Sequence, residues 1–204
     1  MEEAQLYRSL TRAAALVLAC FISGVCAAAA NSTAALDPVL SGLAWGESSA
    51  ALKRHFGKSA IALAPPIEFG DAYVDVALRH VALGGYDYVV YFKMDKVSHG
   101  LKRVMYERPR HGANPTAFDA AVRAIEAQWG EPKRCAEKAR GSNGYQATQE
   151  YVWRGSGRRI RAIFRDTTLE AESGCQEVGF LPCGLEGHLF IIIDGETAAG
   201  TDCG

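Results

Sequence analysis

From residue 73 to residue 107, apolar and polar positions alternate along the chain. "YVDVALRHVAL" puts Val74, Val76 and Leu78 on one side, and "YDYVVYF" puts Tyr86, Tyr88, Val90 and Phe92 together. "LKRVMYE" follows a turn at "VSHG". This period of two predicts a run of half-buried antiparallel strands. It returns near the C-terminus. "QEYVWR" and "RRIRAIF" flank "GSG", read as a three-residue hairpin connection, and "QEVGFL" and "HLFIIID" predict further strands. Two stretches carry the helical period instead. In "GLAWGESSAALKRHFGKSA", Ser48 caps the first turn, Leu52 and Phe56 share a face, and Gly57 supplies a stop. In "ANPTAFDAAVRAIEAQWGEP", Asn114 is the N-cap and Pro115 takes the first helical position. Phe118, Val122, Ile125 and Trp129 form the apolar stripe, and Gly130 and Pro132 end the helix.

The two helices align at an offset of 73 residues: Trp45 with Phe118, Leu52 with Ile125, Phe56 with Trp129 and Gly57 with Gly130. Each is followed by strands. The pattern predicts an α+β fold of two helix-plus-antiparallel-sheet units related by an internal repeat, over 43–110 and 114–194, with the helices packed on one face of the sheet. Residues 31–42 read as a leader and 195–204 as a tail. On this reading Phe56 and Trp129 lock each helix onto its sheet. Burying such a ring contributes about 2–3 kcal/mol, so Trp129→Ala ranks among the most damaging substitutions.

Residues 1–30 stand apart. Arg8 and Arg12 precede the uncharged run from Ala13 to Ala30, which ends in consecutive alanines. That layout predicts a secretory signal peptide cleaved near Ala30, placing the mature chain in the periplasm or outside the cell. An uncleaved segment, or lipidation at Cys20 in "VLAC", would instead hold the protein at a membrane. Cleavage leaves Cys135, Cys175, Cys183 and Cys203, all in the second half. Four cysteines in an exported chain point to two disulfides. Three connectivities are open, with Cys135–Cys175 and Cys183–Cys203 preferred because the second pair would fasten the tail.

With 49% apolar and 22% charged residues in 204, the chain has the composition of a folded globule. Its formal charge of −1 provides no global attraction for nucleic acid. His55, His80, His99, His111 and His188 show no metal-ligand spacing. Asp71 and Asp75 form a strand-spaced pair that reads as solvated. No nucleophile elbow or phosphate loop appears. No catalytic, cofactor-binding or metal-ligating residue is therefore assigned, and no cofactor is expected.

Charge is unevenly placed. From Glu131 to Asp166 there are nine Lys or Arg and four acids; from Thr167 onward there are seven acids and no base. One reading pairs the two stretches within the sheet, Arg161 and Arg165 lying opposite Glu177 or its neighbours. The other makes the arginine hairpin, with Arg158 and Arg161, a docking surface. Tyr91 has opposite parity to Tyr88 and Val90, which sets it on the open face as a candidate interface anchor.

The "W-G-x-S…L…F-G" run from Trp45 to Gly57, and its echo from Phe118 to Gly130 with Pro132, resembles the beta-lactamase inhibitor protein-like fold. That group includes the SmpA/OmlA-type outer-membrane lipoproteins, and the resemblance covers about residues 43–193. It implies an extracytoplasmic, non-enzymatic protein that binds another protein with a helix-backed sheet. The late cysteines depart from the assembly lipoproteins. The sequence thus predicts an exported protein with a protein partner in the cell envelope, engaged through an open sheet face by Tyr91, Arg158 and Arg161. The alternatives are an envelope enzyme with a dispersed His/Asp site, or a structural envelope lipoprotein.

Overall fold

The computed structural model describes residues 36–108, 114–135, 149–166, 187–195 and 203. Its dominant feature is one antiparallel sheet of eight strands. Along the chain these are β1 (Ile61–Glu68), β2 (Ala72–Leu83), β3 (Tyr86–Asp95), β4 (Leu101–Glu107), β5 (Lys133–Arg134), β6 (Gln149–Gly155), β7 (Arg158–Asp166) and β8 (Gly187–Gly195). Their order across the sheet is β1-β2-β3-β4-β8-β7-β6-β5. Three α-helices accompany them among the described residues: α1 (Asp37–Leu40), α2 (Ser49–Phe56) and α3 (Pro115–Trp129). The strand expected at "QEVGFL" lies outside the described residues.

The local signals explain why these segments form. Ser48 Oγ accepts from the Ala51 amide, and Asn114 Oδ1 accepts from the Ala117 amide at 2.8 Å, capping α2 and α3. Gly57 and Gly130 end the helices at positive φ. Ser156 and Gly157 both have positive φ, and Gly155 pairs with Arg158. The β6–β7 connection is therefore a two-residue turn of the type that matches strand twist, one residue tighter than the three-residue loop expected.

Two helix-plus-sheet repeat units are not what the chain builds. β4 pairs with β8 from Arg103↔Asp194 to Glu107↔Phe190, so the strands of both halves form one continuous sheet. Nor does each helix serve its own unit. α3 lies against β6 and β7 but also against β2, and a Cβ added at Gly84, in the β2–β3 turn, would sit 2.6 Å from the Ala120 carbonyl. The aligned positions have different surroundings. Phe118 is fully buried against Phe164 and Tyr151, whereas Trp45 is 37% exposed and rests beside Gly195. Phe56 stacks on Phe92, while Trp129 is half-buried near Gly155. Capped amphipathic helices ending in glycine recur for local reasons, and that likeness does not extend to tertiary packing. Trp129 also carries less of the core than its place on the stripe suggested; Phe118 is the fully buried ring of α3.

The core runs along the inner face of the whole sheet. Val76, Val90, Phe92, Val104, Tyr106, Ile191, Ile193, Ile160 and Ala162 are buried there with Leu52 of α2 and Ile125 of α3. Residues 36–40, expected as part of a loose leader, belong to this core through Leu36, Val39 and Leu40. Leucine-rich single turns bury well despite marginal intrinsic helicity.

Both sheet edges are blunted. Pro65 and Pro66 interrupt β1, whose register shifts between Ala62 and Ile67. β5 has two residues and runs into Cys135, whose amide donates to the Glu150 carbonyl. Short or proline-broken edges disfavour pairing with another strand.

Candidate functional site

Strand parity gives the sheet a second, outer face, and none of the described helices lies against it. The register aligns its side chains into rows running across the strands. The first is Lys93 (β3), Arg103 (β4), Asp194 (β8), Arg159 (β7) and Arg154 (β6), each directly opposite the next. The second is Ala77, Tyr91, Met105, Ile192, Arg161 and Val152. The third is Val89, Glu107, Phe190, Ile163 and Glu150.

Ion pairs organise the first row. Asp194, only 2% exposed, accepts from Arg103 Nε at 2.6 Å and from Arg159 Nη2 at 3.1 Å. Arg161 donates from Nε to Glu150 Oε1 at 2.6 Å across the β6–β7 pair. These are charge-assisted bonds among largely desolvated groups, a different case from exposed surface pairs. At the β3 end, Lys93 Nζ sits 3.8 Å from the centre of the Phe69 ring. Burial, with Arg103 alongside, pushes the Lys93 ammonium below its ordinary pKa. Burial pushes Glu107 above the usual carboxylate range despite Lys93 nearby, and raises Tyr91, with the Glu107 charge adding to the effect.

The residues singled out from sequence divide. Tyr91 stands on the outer face opposite Met105, and Arg161 stands in the same row on β7. Arg158 does not join them: it has inner-face parity and donates from Nη2 to the Leu40 carbonyl at 3.0 Å, tying α1 to β7. The carboxylate facing Arg161 is Glu150, which belongs to the basic stretch itself, and Arg165 lies opposite His188. Glu177 lies outside the described residues. The acidic stretch contributes Asp194 instead.

The cysteine preference is also corrected. Cys135 is bonded to Cys203, so neither preferred pair forms; Cys175 and Cys183 lie outside the described residues. Asp71 and Asp75 do not converge: Asp71 pairs with Lys102 at 3.1 Å, and Asp75 accepts from Ser49 Oγ at 2.7 Å. His80 faces Asp87, His99 faces Tyr73, and His111 lies outside the described residues. Among the described residues no group of three or more His, Cys, Asp or Glu is placed to hold a metal ion. None of the described helices is long and apolar enough to cross a membrane.

Asp194 and Glu150 were missed because a lone acid in a strand carries no motif. The available signal was parity: Asp194 is out of phase with the inward Ile191 and Ile193, and Glu150 with the inward Tyr151 and Trp153, so each had to face its neighbours on the outer side. A comparison with protein-family models, curated proteins and solved structures finds no match to this chain in any of the three.

Proposed function

We propose that this chain is an exported, non-enzymatic binding protein whose outer sheet face holds a protein partner. The observation that carries this reading is the composition of that face. Tyr91, Ile192 and Phe190 are half-buried and lie close together on β3 and β8, flanking β4, and charged rows lie among them. A central patch of aromatic and aliphatic anchors with arginine around it is the usual anatomy of a protein interface. The blunted edges argue against partner binding by strand addition. The Cys135–Cys203 disulfide supports an oxidising compartment, in keeping with the signal-peptide character of residues 1–30.

The test compares capture by the wild-type chain with capture by Tyr91→Ala and Phe190→Ala. A partner from the producing cell's envelope should be retained by the first and lost by the variants. Equal retention by all three, or steady turnover of an envelope substrate by the purified chain, refutes the reading. Intact mass should show that residues 1–30 have been removed; a chain still beginning at Met1 would contradict export by cleavage.

A further inference from the structure

Three acids stand in the rows of the outer face, and two of them are neutralised from within the sheet. Asp194 is bonded to Arg103 and Arg159, and Glu150 to Arg161. Glu107 is the third, and its carboxyl has neither a hydrogen bond nor an ion pair among the described residues. The base whose charge reaches it is Lys93. That residue stands two rows away, about 14 Å along the strands, with its ammonium over the Phe69 ring.

The surroundings of Glu107 are apolar. Val89 of β3 lies directly opposite it on one side and Phe190 of β8 on the other, and Tyr91 and Ile192 hold the diagonal positions. All five side chains are half-buried, so solvent reaches the group. Asp194 and Glu150, at 2% and 6% exposed, are closed off by comparison. Phe190 already accepts one cation, the Arg165 guanidinium, 5.8 Å from its ring centre on the β7 side. Tyr91 is near enough for the Glu107 charge to act on its hydroxyl.

A carboxylate in this place works against the fold. Burial disfavours its charged form, and Lys93 offsets that only in part. A glutamine would fill the same space without the charge. A group that lowers stability and has no internal partner is characteristic of a site kept for binding or chemistry.

We propose that Glu107 receives one basic side chain of the protein partner, a lysine or arginine whose cation meets the carboxylate between the rings of Tyr91 and Phe190. The inference rests on the outer face being the partner surface and gives the chemistry of its centre. Val89 and Ile192 require apolar residues on either side of that cation. Once these seat, water is excluded from the rim and the central ion pair strengthens. An unpaired carboxylate repels a nucleic-acid backbone, so the complement is a polypeptide.

The probe is a fluorescein-labelled nine-residue peptide with lysine at its centre, leucine at every second position on both sides and serine between. Its binding to the full chain is read by fluorescence anisotropy. The lysine peptide should bind about tenfold more tightly than the same peptide with glutamine at its centre, and Glu107→Gln should remove that preference. Asp119→Asn, which takes one exposed carboxylate from α3, should leave the preference intact. Urea unfolding of Glu107→Gln should show a fold at least as stable as wild type, so that lost binding reports the carboxylate and not misfolding. No binding of the lysine peptide, equal binding of the glutamine peptide, a preference that survives Glu107→Gln, or an equal loss in Asp119→Asn would each overturn the proposal. The two readings separate with the captured partner. If Tyr91→Ala abolishes capture while Glu107→Gln does not, the face stands as the interface and the basic side chain falls. If Tyr91→Ala leaves capture intact, the face itself falls.

Discussion

Asp194→Ala is the sharpest test of how the outer face is held together. The substitution removes the single carboxylate between Arg103 and Arg159, at 2.6 and 3.1 Å, from a position 2% exposed to solvent. Two unit charges about 4 Å apart attract by about 4 kcal/mol at an effective dielectric of 20. Two such contacts are lost, and the two guanidiniums then face each other without an intervening anion. Against this stands the desolvation of Asp194 itself, which the alanine no longer requires. Breaking a buried ion pair from one side costs about 3–5 kcal/mol in net terms. With a urea dependence of about 2 kcal/mol per molar, the unfolding midpoint should fall by about 2 M. Urea titration followed by tryptophan fluorescence gives the value directly. Lys96→Ala provides the comparison: its partner Glu68 is exposed, and the loss should stay below about 1 kcal/mol. The triple substitution Arg103→Met, Asp194→Leu, Arg159→Met should recover most of the deficit, because apolar replacements leave no orphaned charge. A loss for Asp194→Ala no larger than that for Lys96→Ala would show that water screens the row and that Asp194 does not hold it together.

Two further outcomes are expected. Glu107 is pushed above the usual carboxylate range by burial, so the folded state binds more protons than the unfolded state and stability falls as pH rises from the ordinary glutamate value through the raised one. Glu107→Gln should therefore raise the unfolding midpoint at neutral pH, with the gain vanishing once the pH falls below the ordinary carboxylate range; a gain that ignores pH, or a loss at neutrality, would show that burial does not govern this group. The Cys135–Cys203 bond joins residues 68 apart, and removing it by Cys203→Ser should cost roughly 4 kcal/mol on chain-entropy grounds. Peptide mapping without reduction should recover Cys135 linked to Cys203; a Cys135–Cys175 peptide would contradict the structure.

How far the fold is legible in the sequence depends on the range of the interaction. The caps at Ser48 and Asn114 and the glycine stops at Gly57 and Gly130 act within a turn or two, and the sequence displays them whole. The separation of Tyr91 from Tyr88 and Val90 follows from side-chain alternation alone. β1 escapes notice because Pro65 and Pro66 break a pattern that one partner strand suffices to hold at an edge. α1 escapes because one turn of leucine-containing helix has no periodicity to detect.

The candidate site is only partly legible. Tyr91 and Arg161 stand out as sequence features and do lie on the outer face, Arg158 stands out and lies elsewhere, and Asp194 and Glu150 do not stand out at all. Arg158 and Arg161 are three positions apart in one strand, and strand geometry sends them to opposite faces. Parity is enough to separate those two. It cannot say which carboxylate meets which arginine.

The sequence by itself determined the local elements with a period or a cap: which segments alternate, where α2 and α3 start and stop, and which side of each alternating strand is apolar. Tertiary structure decided that β4 meets β8, joining strands from the two halves into a single sheet, and so placed Arg103 beside Asp194 across 91 residues of chain. The physical reason is that caps and side-chain periods are set by neighbours along the backbone. A lateral row of charges exists only once distant strands have chosen their partners and their register, and a shift of one residue would turn every member of that row to the other face.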